Sequence, residues 1–503
     1  MSDPGKATAT HGLEIRGEMF TDPDAHLSEE ERAKLVSLLS GLDLLSQNVL
    51  TQKQEHRLAQ LCILYLLAFL DRTNIGNAKI AGLNEDLHLT QRQYNATLTI
   101  FFVSYAVFEP LTNILLKRLR PSIFIPVIMI LWGTCMVSMG FVHNWEGLMV
   151  ARWFLGLTEA GLFPGVNYYL SCWYRRSEFG IRAAVFFSAA ALSGSFGGAL
   201  AAGLEQMNGI GNLAGWSWIF ILEGLLTVVF GVASFWMVHD FPDEAKFLSP
   251  DDRARVIRRL KADQQASAVY EEFKMKYFWQ AMADWKMWMA MVIYMGCDMP
   301  LYAFSLFLPT IINDLGWNTS TVRSQLMTVP PYAVAAVFTI IVGWVADKTR
   351  QRGLCNVFVS LIGIAGFVIL ITTESPKVKY AGTFLGAMAL YPCISNTITW
   401  VANNTEGVYK RGVVLGFVIG WGNLSGIISS NIYFNGPQFT EGHGVVLAYL
   451  SLCLCLGSLL MTVSLKVENA KRKQGKRDHW AVGKTEKEIE ALGDMRPRFQ
   501  YTL

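Results

Sequence analysis

The chain has 503 residues, of which 52% are hydrophobic and 17% charged, and its mean hydropathy is positive. Such a composition argues against a set of soluble domains and favours a polytopic membrane protein. The formal net charge is only +3, and the basic residues lie between apolar runs rather than on one face. We therefore expect no nucleic-acid partner.

Apolar runs follow one another along the whole chain after a polar N-terminal stretch, in which we expect no cleavable signal sequence. A bilayer core of about 30 Å requires about 20 apolar residues in a helix. We predict twelve transmembrane helices, near residues 58–79, 94–116, 122–142, 146–170, 182–204, 214–239, 285–312, 324–346, 354–373, 379–402, 411–434 and 443–465.

A polar segment between the sixth and seventh runs divides the helices into two groups of six. Such a division is typical of a duplicated transporter. The predicted parts are a cytoplasmic tail 1–56, a six-helix bundle 57–239, a cytoplasmic central loop 240–284, a second six-helix bundle 285–466 and a cytoplasmic tail 467–503. The fold class is thus an all-α membrane protein.

The placement of lysine and arginine predicts the orientation. With the N-terminus inside, the inner connections hold eleven basic residues, whereas the outer ones hold only Lys79, Arg92, Arg323, Lys377 and Lys379. The positive-inside rule therefore places both termini in the cytoplasm.

The eight cysteines lie within or beside apolar runs, and no group of cysteine and histidine has the spacing of a zinc site. The runs contain no pair of nucleophile and base. We therefore expect no metal, no cofactor and no catalytic residue, and a protein that is not an enzyme.

A few ionisable residues lie inside the apolar runs. Each costs roughly 2.5 to 3.5 kcal/mol to insert, so each is a candidate functional residue. They are Asp71, Arg72, Glu109, Arg152, Glu159, Glu223 and Asp298. None of the histidines lies well inside a run, so any proton coupling must use carboxyl groups.

The depth of these residues follows from a rise of about 1.5 Å per residue. Asp71 and Arg72 lie about 20 Å from the inner face, and Arg152 lies at nearly the same level. Glu159 falls near the midplane, two turns from Arg152 on the same helix face and about 10 Å from it. A small molecule could therefore lie between them.

The chemistry of the side chains suggests their roles. Arginine stays protonated and can bind a carboxylate with two parallel hydrogen bonds, so we expect Arg72 and Arg152, with Asn74 nearby, to bind an anion. Glu159 is the expected proton carrier, with Asp71 and Asp298 as further candidates. Asp71 is expected to face Arg152, because neighbouring residues point about 100° apart on a helix. An ion-pair network with a purely structural role is the alternative.

The second half offers uncharged groups for binding. Tyr302 lies in the seventh run, and Asn396, Trp400 and Asn403 have the spacing of one helix face in the tenth. Such a face could stack a planar ligand and hydrogen-bond to its edge. Alternatively, these residues make ordinary contacts between helices.

Several motifs together carry a resemblance to a known family: YLLAFLDRTNIGNAKIAGL from Tyr65, Glu109-Pro110, the pair Arg152 and Glu159, WYRRSEFGIRAA from Trp173, FPDEAKFLSPDDR, and NTITWVANNTEGVYKRG from Asn396. With them, residues 57–466 resemble the major facilitator superfamily. More narrowly, they resemble the fungal allantoate permease branch of the anion:cation symporters.

The resemblance implies the major facilitator fold, with the anion-binding and proton-coupling roles carried to Arg72, Arg152 and Glu159. The loop signature of the superfamily is matched in part by Asp347, Lys348 and Arg352, with Arg350-Gln351 where Gly-Arg is expected. These three residues are therefore expected to act in gating, with Asp347 as a cytoplasmic latch.

The function that the resemblance implies is proton-coupled uptake of a small organic anion such as nicotinate, pantothenate, allantoate or biotin across the plasma membrane. The expected partners are this anion, protons and membrane lipid, and the protein is expected to be a monomer. Alternatives are an exporter of a secondary metabolite or drug, and a nutrient sensor. The buried arginines argue against a sugar facilitator.

Overall fold

The computed structural model describes residues 44–171, 173–174, 176–241, 249–250, 252–253, 275–315, 320–434, 438–485, 488–489 and 492–503. These residues form helices joined by short loops, and none of the described residues is in a β-strand. Most of the predicted N-terminal tail and of the central loop lies outside the described residues.

The first half contains six long helical units. They are α1, Leu44–Ala78, which continues through a π-helical turn Lys79–Leu83 to Asn84–Asp86; α2, Gln91–Arg118; α3, Pro121–Met139; α4, in two segments Trp145–Glu159 and Leu162–Ser171; α5, Arg176–Leu204; and α6, Gly215–Met237. Short 3-10 turns lie at Glu205–Met207 and Ile210–Asn212.

The second half begins with a short helix, Met275–Met282, and has the corresponding units. They are α7, Trp285–Asn313; α8, Val329–Thr349, after a short helix Thr321–Leu326; α9, Arg352–Thr372; α10, Pro376–Asn403; α11, Val408–Ser429; and α12, Thr440–Ala448, continued by π-helical Tyr449–Leu456 and by Gly457–Lys473. Short 3-10 turns follow at Asp478–Trp480 and Gly493–Met495.

Each predicted apolar run coincides with one of these units. Ten helical stretches of the described chain are long and apolar enough to cross a membrane. The other two runs correspond to α2 and to α4, which is interrupted after Glu159 and so forms two shorter segments. The number of membrane crossings and the cytoplasmic location of the termini remain predictions.

Local sequence explains where several helices begin. Thr90 and Gln93 form a capping box at the start of α2, in which the Thr90 side chain accepts a hydrogen bond from the Gln93 backbone and the Gln93 side chain accepts one from the Thr90 backbone. The Asn144 side chain caps α4 at 2.9 Å from the Gly147 nitrogen. Prolines stand in the first turns of α3 and α10, where no partner for the missing N–H is needed.

The two halves meet mainly where α1 packs on α7, α2 on α11, and α5 on α8 and α10. Glycines permit the close approach. A Cβ on Gly76 would strike the Leu306 carbonyl of α7, and one on Gly194 or Gly426 would strike the ring of Tyr332 or Phe102, respectively, in the other half. These contacts bring the interior residues of both halves to a common centre.

The C-terminal segment 492–503 packs against the end of the second half from which α7 begins. Arg472 of α12 donates hydrogen bonds to the carbonyl groups of Asp494, Arg496 and Phe499 at 2.9, 3.0 and 3.0 Å. This segment was predicted only as a polar tail, so its fixed position is a finding of the structure.

Candidate functional site

All seven ionisable residues identified inside the apolar runs are buried, with at most 6% of their surface exposed. Helix α1 contributes Asp71 and Arg72, and α4 contributes Arg152 and Glu159. Among these central residues, the carboxyl groups outnumber the guanidinium groups five to two. Three uncompensated negative charges inside a membrane would be very costly. Some of the carboxyl groups must therefore carry protons.

The centre of the site is an ion pair between Arg72 and Glu159. Both Nε and Nη2 of Arg72 donate to the same oxygen, Oε1 of Glu159, at 3.0 and 2.6 Å. The second oxygen, Oε2, is buried without a hydrogen-bond partner among the described atoms. The sequence placed Glu159 near the midplane, below the level of Arg72, and only the tertiary structure shows that the two residues bind each other.

A chain of hydrogen bonds extends from the other side of Arg72 into the second half. Its Nη1 donates to the Tyr302 hydroxyl at 2.7 Å, which donates to Oδ1 of Asn423 at 2.9 Å. Nδ2 of Asn423 then donates to Oε2 of Glu109 on α2 at 2.9 Å. Arg72 is thus linked directly to one carboxyl group and indirectly to a second.

Aromatic rings surround the guanidinium group of Arg72. Its central carbon lies 5.9 Å from the ring centre of Phe69, 5.4 Å from Phe101, 4.9 Å from Tyr105 and 5.5 Å from Tyr302. The rings stabilise the cation through their π faces. They also lower the local dielectric constant, which strengthens the attraction of Arg72 for any anion that reaches it.

Arg152 is the second buried guanidinium group, and its donors are incompletely used. It is only 1% exposed, and its Nε and Nη2 have no hydrogen-bond partner in the described part of the chain. A buried donor without a partner costs about 1 to 3 kcal/mol. Arg152 therefore has two buried donors that the described residues leave unsatisfied.

The predicted contact between Asp71 and Arg152 is not formed. Oδ2 of Asp71 instead accepts hydrogen bonds from Nε1 of Trp132 on α3 at 3.0 Å and from Oγ1 of Thr227 on α6 at 2.7 Å. The sequence predicted that Asp71 and Arg152 lie at the same depth. The Asp71 side chain, however, points toward α3 and α6. It therefore lies behind the Arg72 centre rather than in it.

Two further predicted residues are buried near the centre with unused polar atoms. Neither amide atom of Asn74 has a hydrogen-bond partner among the described residues, and neither does Oδ2 of Asp298. Asn74 lies where α5 packs on α1, because a Cβ on Gly197 would be 3.5 Å from its Oδ1. Asp298 lies beside Gly422 of α11.

The prediction that Asn396, Trp400 and Asn403 form a ligand-binding face of α10 is wrong. Asn396 accepts a hydrogen bond from Nη1 of Arg352 at 3.0 Å, and Nε1 of Trp400 donates to the Thr502 carbonyl at 2.9 Å. The face therefore binds the start of α9 and the C-terminal segment. Asn403, at the last position of α10, is half-buried.

Tyr391 is the residue of α10 that reaches the centre, where its ring lies 6.3 Å from that of Phe69. Trp400 is nine residues further along, about 14 Å away at the rise of an α-helix. Helical spacing identified a common face correctly, but it does not say at which depth the site lies.

The predicted gating residues divide into two groups. Asp347 and Arg352 form an ion pair next to Gly180 of α5, where a Cβ would strike both side chains. They thus place the end of α8 and the start of α9 against the first half. Lys348 lies apart from this pair, 4.9 Å from the ring centre of Trp344.

Glu109 is the residue that the sequence-based site omitted. It is 2% exposed and accepts the last hydrogen bond of the chain that runs from Arg72 through Tyr302 and Asn423. Its position inside an apolar run was a usable signal, but nothing in the sequence indicated its partner. The partner that brings it to the site, Asn423, is 314 residues away.

Comparisons with known proteins agree with this fold. A model of the Major Facilitator Superfamily matches residues 61–430. An uncharacterized transporter of Schizosaccharomyces pombe is 33% identical over 483 residues, which are 95% of this chain and 92% of that protein. The high-affinity nicotinic acid transporter of Saccharomyces cerevisiae is 30% identical over 459 residues, 91% of this chain and 85% of that protein.

Among solved structures, a bacterial homologue of the human lysosomal transporter Spinster, in an inward-facing and unoccupied conformation, is similar with a TM-score of 0.58. The identity is 16%, and the match covers 80% of this chain and 96% of that one, so the likeness concerns the fold alone. The predicted fold class is confirmed. With a family match over most of its length and relatives named as transporters, the chain belongs to the major facilitator superfamily and is a membrane transporter rather than an enzyme.

Proposed function

We propose that this transporter is a proton-coupled symporter that carries a small organic monoanion, with nicotinate as the first candidate, into the cell across the plasma membrane by alternating access. The observation that carries the proposal is the buried ion pair between Arg72 and Glu159, with the unpaired donors of Arg152 within electrostatic reach of Glu159. The allantoate permease branch is the subfamily to which we assign it.

The ion pair supports a competition between Glu159 and the substrate for Arg72. In the empty site, Glu159 neutralises the guanidinium group. A substrate carboxylate can take its place at low cost only when Glu159 has received a proton, because two carboxylates on one buried guanidinium leave an uncompensated charge. Binding of the anion is therefore linked to binding of a proton.

Arg152 supplies a second position for the anion. Arg72 and Arg152 are both cations at any accessible pH, and the free Nε and Nη2 of Arg152 can donate to an oxygen that Arg72 does not use. Tyr302 and Asn423 offer further polar contacts. One proton carried with one monoanion makes the loaded state electrically neutral, so the membrane potential does not drive its movement.

The aromatic residues support a planar ligand. Rings of Phe69, Phe101, Tyr105 and Tyr302 lie around Arg72, and a flat heteroaromatic acid can place its carboxylate on the guanidinium group while its ring stacks on one of them. The similarity to a yeast nicotinic acid transporter supports the same choice of substrate.

The proposal is tested by uptake of radiolabelled nicotinate into cells that express the protein, at external pH 5 and 7, with and without an uncoupler. We expect accumulation at pH 5 that the uncoupler abolishes. Accumulation of nicotinate that depends neither on the external pH nor on the uncoupler would contradict proton symport. Failure to bind or take up any member of a panel of small carboxylates would contradict the anion specificity.

The variant Glu159→Gln separates the proton step from binding. We expect it to lose accumulation but to keep exchange of labelled for unlabelled substrate, because the amide leaves Arg72 free without binding a proton. Glu146→Gln is the matched control, since Glu146 is an exposed residue in the first turn of the same helix. Full accumulation in Glu159→Gln would assign the proton to another carboxyl group.

A further inference from the structure

At the contact between α2 and α11, a polar chain crosses from one half of the protein to the other and back. Its members are Arg72, Tyr302, Asn423 and Glu109, joined at 2.7, 2.9 and 2.9 Å. Arg72 and Glu109 belong to the first half, and Tyr302 and Asn423 to the second. Breaking the chain is therefore necessary if α11 is to move away from α2 at this level.

All the hydrogen bonds in this chain point in one direction. In each bond the donor lies on the side of Arg72 and the acceptor on the side of Glu109. The last acceptor is a carboxyl oxygen of Glu109. A chain that starts at a cation and ends at an anion is strengthened by polarisation along its length. The chain therefore holds the halves together most strongly when the charge of Arg72 is not neutralised by any other group.

The surroundings of Glu109 permit this role. Its Oε1 is buried without a hydrogen-bond partner in the described structure, and Gly420 of α11 leaves space beside Oε2, which would lie 3.9 Å from a Cβ at that position. The titratable groups within electrostatic reach are Arg72 of α1, Tyr105 of α2 and Asp298 of α7.

We infer that Glu109 is a positioning residue that keeps the two halves together when a proton has bound but the substrate has not. This inference rests on the proposed function. With Glu159 protonated and no anion present, ionised Glu109 is the anion to which hydrogen bonds among the described residues connect Arg72, through Tyr302 and Asn423, so the α2–α11 contact tightens. A bound anion, or ionised Glu159, neutralises Arg72 and relaxes the contact.

The consequence is tight coupling between proton and substrate. The loaded carrier and the empty carrier can both change conformation, whereas the carrier that holds only a proton cannot. Without Glu109, the proton-loaded carrier is free to change conformation and release its proton on the other side. Glu109 therefore prevents a leak of protons in the absence of substrate.

The test measures proton entry into proteoliposomes with a trapped pH-sensitive dye, under an imposed pH gradient and without substrate. We expect Glu109→Gln to raise substrate-free proton entry about tenfold, which corresponds to about 1.4 kcal/mol of lost restraint. The affinity for nicotinate should not fall, because Glu109 does not touch Arg72 and its contact is already relaxed when the anion is bound; a fall of more than about threefold would contradict the inference. Glu146→Gln is the control.

A second variant separates the chain from the charge. Asn423→Leu keeps Glu109 but interrupts the hydrogen bonds. Its affinity for nicotinate can fall, because Asn423 is also a proposed substrate contact, but we expect the same leak of protons, which the loss of a substrate contact or of stability alone would not produce. Tight coupling retained in both variants would overturn the inference and leave the proposed function intact. A wild-type protein that transports nicotinate without moving protons would overturn both.

Discussion

Replacing Arg72 with lysine should separate charge from geometry at the centre of the site. Arg72 uses Nε and Nη2 for Glu159 and Nη1 for Tyr302, and a single ammonium group at the end of a flexible stem cannot serve both sides at once. The variant Arg72→Lys keeps the positive charge that an anion needs but removes the planar fork.

The expected loss follows from the bonds that lysine cannot make. A hydrogen bond to a charged group contributes about 1.5 to 3 kcal/mol, and a bidentate contact with the substrate carboxylate becomes a single contact. We therefore expect the affinity for nicotinate to fall by about 10- to 150-fold, which corresponds to one such bond at 1.4 kcal/mol per factor of ten.

The assay is equilibrium binding of radiolabelled nicotinate to the purified protein in detergent at pH 5, with elution as a single peak in size-exclusion chromatography as the test of folding. Arg92→Lys is the matched control, because Arg92 is an exposed arginine at the start of α2. A folded Arg72→Lys variant with an affinity within threefold of the wild type would refute the geometric argument.

Two further predictions concern the end of the second half at which the C-terminal segment packs. Trp400→Phe should leave nicotinate affinity unchanged but increase hydrogen exchange in residues 492–503. A tenfold loss of affinity would instead support the original prediction that Trp400 binds the substrate. Asp494→Asn should destabilise this segment by about 1 to 3 kcal/mol, measured by the same exchange, because Asp494 binds Lys286 and Lys410, both at 2.7 Å. Burial raises the pKa of Asp284, but the same lysines lower it below its ordinary value overall. The stabilisation that Asp284 provides should thus be complete at neutral pH and lost as the pH falls through about 4 and below. Hydrogen exchange of the segment that is unchanged at low pH would contradict this prediction.

The residues of the site could be listed from the sequence because a membrane makes charge expensive. Asp71, Arg72 and Glu159 stand out in apolar runs, and a residue that costs several kcal/mol to insert is kept only if it is paired or used. Because charged residues are costly in a membrane, the spans are long apolar runs, and the helices could be identified by length and composition alone. Neither conclusion requires knowledge of which helices are neighbours.

The partners of these residues could not be found in the same way. Asp71 and Arg152 share a depth, yet Asp71 binds Trp132 and Thr227. Trp400 has the expected face but lies nine residues beyond Tyr391, so it meets the C-terminal segment instead of the centre. Rise per residue predicts depth only approximately, and it says nothing about the direction in which a helix is rotated.

The sequence by itself thus determined the class of protein, the helical runs and the charged residues that the interior contains, because these depend on the transfer of single residues into lipid. The tertiary structure alone decided that Arg72 binds Glu159, and that Glu109 reaches the same centre through Asn423. Such pairings depend on the rotation and packing of helices that are far apart in the chain. Contacts between the two halves, which transport must break and remake, belong entirely to this second kind of information.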